Sequence, residues 1–292
     1  MKYLSPAREM GAYESLWNDS VSSFKQVRTQ LTSSNHDYFS EYVPEHVATT
    51  FFQRAQERLF SSGVDDYGVC IEGTADYPVQ LKDAEHQLHL LYYRGIWDLV
   101  FSPGISVVGT RNPSSEGIRR TKRLVKELVS RNFTVFSGLA RGVDSVAHRT
   151  AIENKGKTVA VIGTPLSRSY PPENRSLQEE IAKRFLVISQ VPVIRYESNG
   201  PSFNRFFFPE RNITMSALTL GTIIVEAGEG SGTLTQARAA LKQGRKLFIL
   251  DNNFKDPNLK WPNKLLNQGA IRVQSMDDFD KVMNCENTAA QD

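Results

Sequence analysis

Residues 221–237 read GTIIVEAGEGSGTLTQA. Thr222 to Ala227 is a run of β-branched and apolar residues, glycine recurs at 228, 230 and 232, and Thr233 begins a helix-compatible segment through Arg238, Ala240 and Leu241. The order is strand, tight loop, helix start. Alternating glycines leave no Cβ over the backbone, so successive N–H groups and the positive end of the helix are free to face an anion, and phosphate is the natural guest. Many folds use such a turn with no ligand, so the reading depends on what surrounds it.

Outward from this stretch the pattern repeats. Strand-like runs fall at 105–109, 133–138, 158–163, 186–190, 222–227 and 246–250, most of them separated by helical segments of roughly 10 to 17 residues. Alternating β and α units predict an α/β fold with a largely parallel sheet covered by helices on both faces. In such sheets ligands lie outside the carboxyl ends of the strands, and four runs meet glycine there: Gly109, Gly138, Gly163 and Gly228.

Before this core, Pro103-Gly104 marks a boundary, and 63–95 holds short strand-like pieces (YGVCIEG, LHLLYYRG) in a small α+β extension. Residues 41–60 read as a helix with Val47, Phe51, Phe52, Ala55 and Leu59 at helical spacing. Residues 1–40 are polar and carry too little periodicity to assign. The tail, 261–284, reads as a short helix, a strand at 271–273 and a closing helix. The organisation predicted is an N-terminal helical extension at 1–62, the main domain at 63–284, and a frayed tail at 285–292.

Composition narrows the setting. Cys70 and Cys285 lie far apart with no metal-ligand spacing, so neither a disulfide framework nor a structural zinc site is encoded, and a reducing cytoplasm fits. No stretch approaches a membrane span and the N-terminus has no apolar signal region, so a soluble, unexported protein is expected. Residues 1–100 carry 8 Lys/Arg against 14 Asp/Glu, whereas the remainder carries 27 against 18. The basic part is the part with the glycine loops, which suits a polyanionic partner.

Three loops carry candidate chemistry. After the first core strand comes VGTRNPSSEG (108–117), where Ser114 or Ser115 can cap a helix and Arg111 sits where a strand-end ligand would lie. After the second comes SGLARGVDSVAH (137–148), with Arg141 between Gly138 and Gly142. Asp144 is placed to cap the next helix, and His148, four residues on, to buttress the loop through that aspartate. After the third, Tyr170-Pro171-Pro172 makes a rigid rim on which Tyr170 can stack a base or fill a gap. In FFFPERN (206–212) two of the three aromatics are expected in the core, with Arg211 and Asn212 directed at the strand ends. Gly156-Lys157-Thr158 looks like the end of a P-loop, but it leads into a strand instead of leaving one. The glycine pattern of a dinucleotide site is also absent.

Together, VVGTRNPSSEG, FSGLARGVDSVAH, TVAVIGTPLSRSYPPEN, FPERN and IIVEAGEGSGTL resemble the DprA/Smf family of bacterial DNA-processing proteins, in order and spacing, over about residues 75–275. The resemblance implies an extended Rossmann-like domain that binds single-stranded DNA, self-associates, and hands the strand to a RecA-type recombinase in recombination or DNA uptake. It implies no catalytic turnover and no cofactor. Carried onto this sequence, the DNA-facing positions are Gly109, Thr110 and Arg111; Ser137, Gly138 and Arg141; Arg211 and Asn212; and Ser231, Gly232 and Thr233. Ile213 and Glu210 stand where the family is often basic, and only a short tail follows the fold, where the family frequently has a winged helix. The alternative is a nucleotide-ligand sensor or N-glycosidic hydrolase on the same fold. Its acid would come from Glu226 or Glu229, although Gln236 stands where such enzymes place a carboxylate.

Overall fold

The structure is a computed structural model that describes residues 4–19, 21–84 and 86–289. Three helices come first: α1 (Pro6–Asp19), α2 (Phe24–Ser33) and α3 (Glu45–Ser61). Strands β1 (Gly68–Ile71) and β2 (Leu90–Gly95) follow. The alternating part runs β3 (Gly104–Val108), α4 (Ser115–Ser130), β4 (Thr134–Ser137), α5 (Val143–Glu153), β5 (Thr158–Ile162), α6 (Arg175–Arg184) and β6 (Leu186–Ser189). Helices α7 (Val193–Ser198), α8 (Pro201–Asn204) and α9 (Phe207–Ala217) lead to β7 (Gly221–Ile224), α10 (Thr233–Lys242) and β8 (Lys246–Leu250). The chain closes with α11 (Trp261–Leu266), β9 (Ile271–Val273) and α12 (Met276–Ala289). That last helix runs past position 285, where fraying was expected; 290–292 lie outside the described residues.

Among the described residues these strands form one sheet in the order β1-β2-β6-β5-β4-β3-β7-β8-β9. From β6 to β9 every pairing is parallel; β2 joins β6 antiparallel and β1 joins β2 antiparallel at the edge. The period of two decides the faces. Ile105 and Val107 of β3, with Ile223 of β7, enter a core covered by α4, α5 and α12, where Leu128, Ala147 and Phe279 pack. Val108 and Ile224 turn to the opposite core. The fold is the predicted one, a largely parallel, Rossmann-like sheet covered on both faces.

The opposite core also answers the unassigned N-terminus. Residues 9–17 of α1 are buried on every side, so the helix shows no polar face and no amphipathic stripe. Tyr13 and Trp17 join Phe24, Phe206 and Phe207 in an aromatic cluster. Two carboxylates lie on the same helix, both fully enclosed. Glu14 accepts from Tyr92 Oη at 2.5 Å and from the Val193 and Ile194 N–H groups at 2.7 and 3.0 Å, which crowns the start of α7. Glu9 accepts from the Phe39 and Ser40 N–H groups, both at 2.9 Å, and meets His89 Nε2 at 2.5 Å. The apolar core is therefore continuous from α1–α3 into the sheet.

Candidate nucleic-acid interface

Strand β3 lies between β4 and β7, so the chain leaves β3 toward one side of the sheet and returns to β7 on the other. The loops after β3 and β7 diverge at that reversal and open a crevice. It is a cleft of about 540 Å³, with Val108, Gly109 and Thr110 on one wall and Gly228, Gly230 and Ser231 on the other.

The loop from β3 to α4 is held at its helix end by Ser114, the N-cap, whose Oγ accepts the Gly117 N–H at 2.9 Å. Arg111 is exposed near the loop's tip, and among the described residues it makes no ion pair. The loop from β4 to α5 braces it. The Val143 N–H donates to the Thr110 carbonyl at 3.2 Å, and Arg141 Nη2 donates to Asn112 Oδ1 at 2.5 Å. Only glycine fits between them at 142: its φ is +85°, and a Cβ there would stand 2.5 Å from the Thr110 carbonyl oxygen.

Two expectations in this loop are corrected. Asp144 does not cap α5, whose N-cap is Gly142; its carboxylate accepts the Gly138 and Ala140 N–H groups at 3.2 and 3.4 Å and closes the loop before the helix. That closure holds Leu139 at a φ of +58°, and Asn174 Nδ2 donates to the Leu139 carbonyl at 2.9 Å. His148 does not reach Asp144. Its Nδ1 pairs with Thr158 Oγ1 at 2.7 Å, and burial pushes its pKa down to about 3, so it is a neutral core residue. The alternation of i and i+4 suggested a pair, but β5 offers a partner closer to the ring.

Arg211 is 6% exposed at the floor of the cleft. Its Nη1 donates to the Gly138 and Val161 carbonyl oxygens, both at 2.5 Å, and its Nε donates to Asn212 Oδ1 at 2.9 Å. Burial lowers its pKa to about 10, with the Asp144 charge opposing that fall and Arg111 adding to it, so the group is a cation at neutral pH. Asn212 Nδ2 donates to the Gly232 carbonyl at 3.2 Å, and Thr233 Oγ1 donates to the Gly109 carbonyl at 3.3 Å. These bonds tie the β7–α10 loop to both neighbours, while the glycines at 228, 230 and 232 face open space.

Of the sequence-derived positions, Gly109, Thr110, Arg111, Arg211, Asn212, Ser231, Gly232 and Thr233 share one cleft. Ser137, Gly138 and Arg141 do not line it: the Ser137 hydroxyl donates to the Val107 carbonyl at 2.7 Å inside the sheet, Gly138 lies beneath Arg211, and Arg141 stands beside the Asn112 turn. Of the three phenylalanines, Phe207 is fully buried, Phe206 packs on it, and Phe208 lines the cleft. Phe208 also walls a neighbouring hollow of about 360 Å³ with Arg168, Tyr170, Tyr196 and Arg205. Arg168 and Arg205 were not singled out in the sequence; a basic residue just before an aromatic run was the available signal. Tyr170, 49% exposed, stands with its ring centroid 5.3 Å from that of Phe208.

A Rossmann-like sheet with glycine-rich loops at its switch point defines the class, a fold that opens a cleft outside the carboxyl ends of its strands. The family described as DNA recombination-mediator protein A matches residues 68–284, and the chain belongs to that family. It is 36% identical to the DNA processing protein DprA of Bacillus subtilis over 205 residues, which are 70% of this chain and 67% of that protein. It is 35% identical to DprA of Streptococcus pneumoniae over 202 residues, 69% of each. The X-ray structure of the Streptococcus pneumoniae protein superposes with a TM-score of 0.66 at 28% identity, covering 94% of this chain and 92% of that one. DNA processing protein A from Helicobacter pylori, whose structure is described for its mode of binding single-stranded DNA, superposes with a TM-score of 0.61 at 26% identity, covering 75% of this chain and 96% of that one. No helix among the described residues is long and apolar enough to cross a membrane.

Proposed function

We propose that this protein binds single-stranded DNA across the switch-point cleft, without turnover, and that as a homodimer it presents the strand to a RecA-type recombinase in recombination or DNA uptake. The observation that carries the reading is Arg111, an exposed cation that makes no ion pair among the described residues, on a braced loop at the mouth of the cleft. The β7–α10 loop brings glycine backbone at 228, 230 and 232, open to the surroundings, for a phosphate to approach, and the Tyr170–Phe208 pair supplies an aromatic face for a base. Charge supports an anion: among the described residues lining the cleft the single carboxylate is Asp144, whose Oδ2 accepts the Gly138 and Ala140 N–H groups and whose charge faces Arg211.

The hydrolase alternative draws no such support. Glu226 is bonded to Ser114, Glu229 to the Lys260 and Trp261 N–H groups, and Gln236 Nε2 to Thr222 Oγ1.

The test is fluorescence anisotropy with labelled oligo-dT from about 50 to 300 mM salt, beside a duplex control. Single-strand-selective binding that weakens with salt supports the reading, and no binding at the lowest salt overturns it. Light scattering then reads the dimer, and recombinase loading on protein-coated single strands reads the hand-off.

A further inference from the structure

Glu226 follows β7 and holds the β3–α4 loop at both ends. Its backbone carbonyl accepts the Thr110 N–H at 2.7 Å. Its carboxylate accepts the Ser114 N–H at 2.9 Å and the Ser114 Oγ–H at 2.7 Å. A negative group thus lies at the first turn of α4, where unpaired N–H groups and the helix dipole hold phosphates in many nucleotide-binding proteins. Room for it depends on Gly117, since a Cβ there would stand 2.2 Å from Glu226 Oε2.

Behind the loop lies a second hollow of about 500 Å³, lined by Glu226, Arg120, Lys255 and Asn252. Thr110 and Gly228 border both this hollow and the main cleft, so the loop bearing Arg111 is the partition between them. Without the carboxylate, the Ser114 N–H and hydroxyl donors would face an empty seat at the helix start, beside a hollow that also holds Asp256 and whose cations Arg120 and Lys255 are paired with Glu116 and Asp251.

We propose that the Glu226 carboxylate is a resident anion, a positioning residue that fills the phosphate seat at the start of α4. It fixes the loop that presents Arg111, and it reserves the site for a strand lying across the loop over a free phosphate or nucleotide bound behind it. This rests on the single-strand reading above and deepens it.

The experiment compares wild type, Glu226→Ala, Glu226→Gln and Gly117→Ala in phosphate-free chloride buffer, by oligo-dT anisotropy and by thermal melts, with and without inorganic phosphate at constant ionic strength. Glu226→Ala is expected to lose about tenfold in affinity, because a freed loop must be ordered on binding. Glu226→Gln keeps an acceptor for the Ser114 N–H but not the charge, and falls between wild type and Glu226→Ala. Gly117→Ala keeps the carboxylate but denies its place, and reproduces the loss. Inorganic phosphate raises the melting temperature of Glu226→Ala and restores its affinity while leaving wild type unmoved.

Wild-type affinity in Glu226→Ala, or a loss that phosphate does not repair, overturns the proposal. If Glu226→Ala is insoluble, Glu226→Gln against Gly117→Ala decides, and equal affinities overturn it. If wild type binds no oligonucleotide the functional reading falls, while phosphate-dependent stabilisation of Glu226→Ala still decides the resident anion.

Discussion

The Arg211 guanidinium donates to the Gly138 carbonyl oxygen at 2.5 Å, so the arginine at the floor of the cleft points into the protein. Arg111, exposed above it, points out. Two arginines that look equivalent in the sequence therefore have separable roles.

Removing Arg211 leaves Asp144 without its compensating charge and the Gly138 and Val161 carbonyls without their donor. Arg211→Ala is expected to cost about 3 kcal/mol of stability, read by urea unfolding. An unchanged midpoint would refute the structural role.

Arg111→Ala removes an exposed cation that makes no ion pair among the described residues, so stability should move by less than about 0.5 kcal/mol. The salt dependence of single-strand binding should lose about 0.7 from its slope, the amount of one phosphate contact. A preserved slope would remove Arg111 from the interface.

Tyr170 offers a ring that its neighbour Phe208 only partly covers. If a base stacks there, Tyr170→Ala weakens oligo-dT binding by about 1–3 kcal/mol, whereas Tyr170→Phe keeps it. Equal losses in both variants would point to the hydroxyl and away from stacking.

The Glu9–His89–Glu72 cluster gives the fold a pH dependence of known sign. Burial lowers the His89 pKa, but the Glu72 and Glu9 carboxylates outweigh it and the net shift is upward. A raised folded value stabilises fully below the unfolded pKa of about 6.5 and is lost as pH rises through the folded value. The melting temperature should therefore fall on the alkaline side. His89→Gln should be less stable at about pH 6 and lack that decline.

His148 provides the contrast. With its pKa pushed down to about 3 by burial, it stays uncharged through the physiological range. Single-strand binding should show no inflection from it, and a soluble His148→Gln variant should bind as wild type does. Abolished binding in that variant would contradict the core assignment.

Much of this architecture was readable because it rests on short-range patterns. The β-branched runs that become β3 and β7 lead into Gly109 and Gly228, and both glycines line the cleft. What escaped detection depends on partners distant in sequence. Helix α1 hides its periodicity because Glu9 and Glu14 occupy buried positions that a pattern search reserves for apolar residues, and their partners lie as far away as Ile194. His148 was misread because spacing along one helix says nothing of Thr158 on the neighbouring strand. Arg211 appears in sequence as one more cation near a ligand loop, and only its two carbonyl contacts reveal a brace.

The distance between Glu14 and the start of α7 bears on how the chain is made. During synthesis α1 leaves the ribosome long before Val193 and Ile194 exist, and at about 5–20 residues per second the wait is roughly 10 to 35 s. Through that interval a helix carrying Tyr13 and Trp17 waits for Phe207, an aromatic partner made later still. Nascent α1 is thus long exposed to chaperones and proteases, although in the finished fold its residues 9–17 are buried.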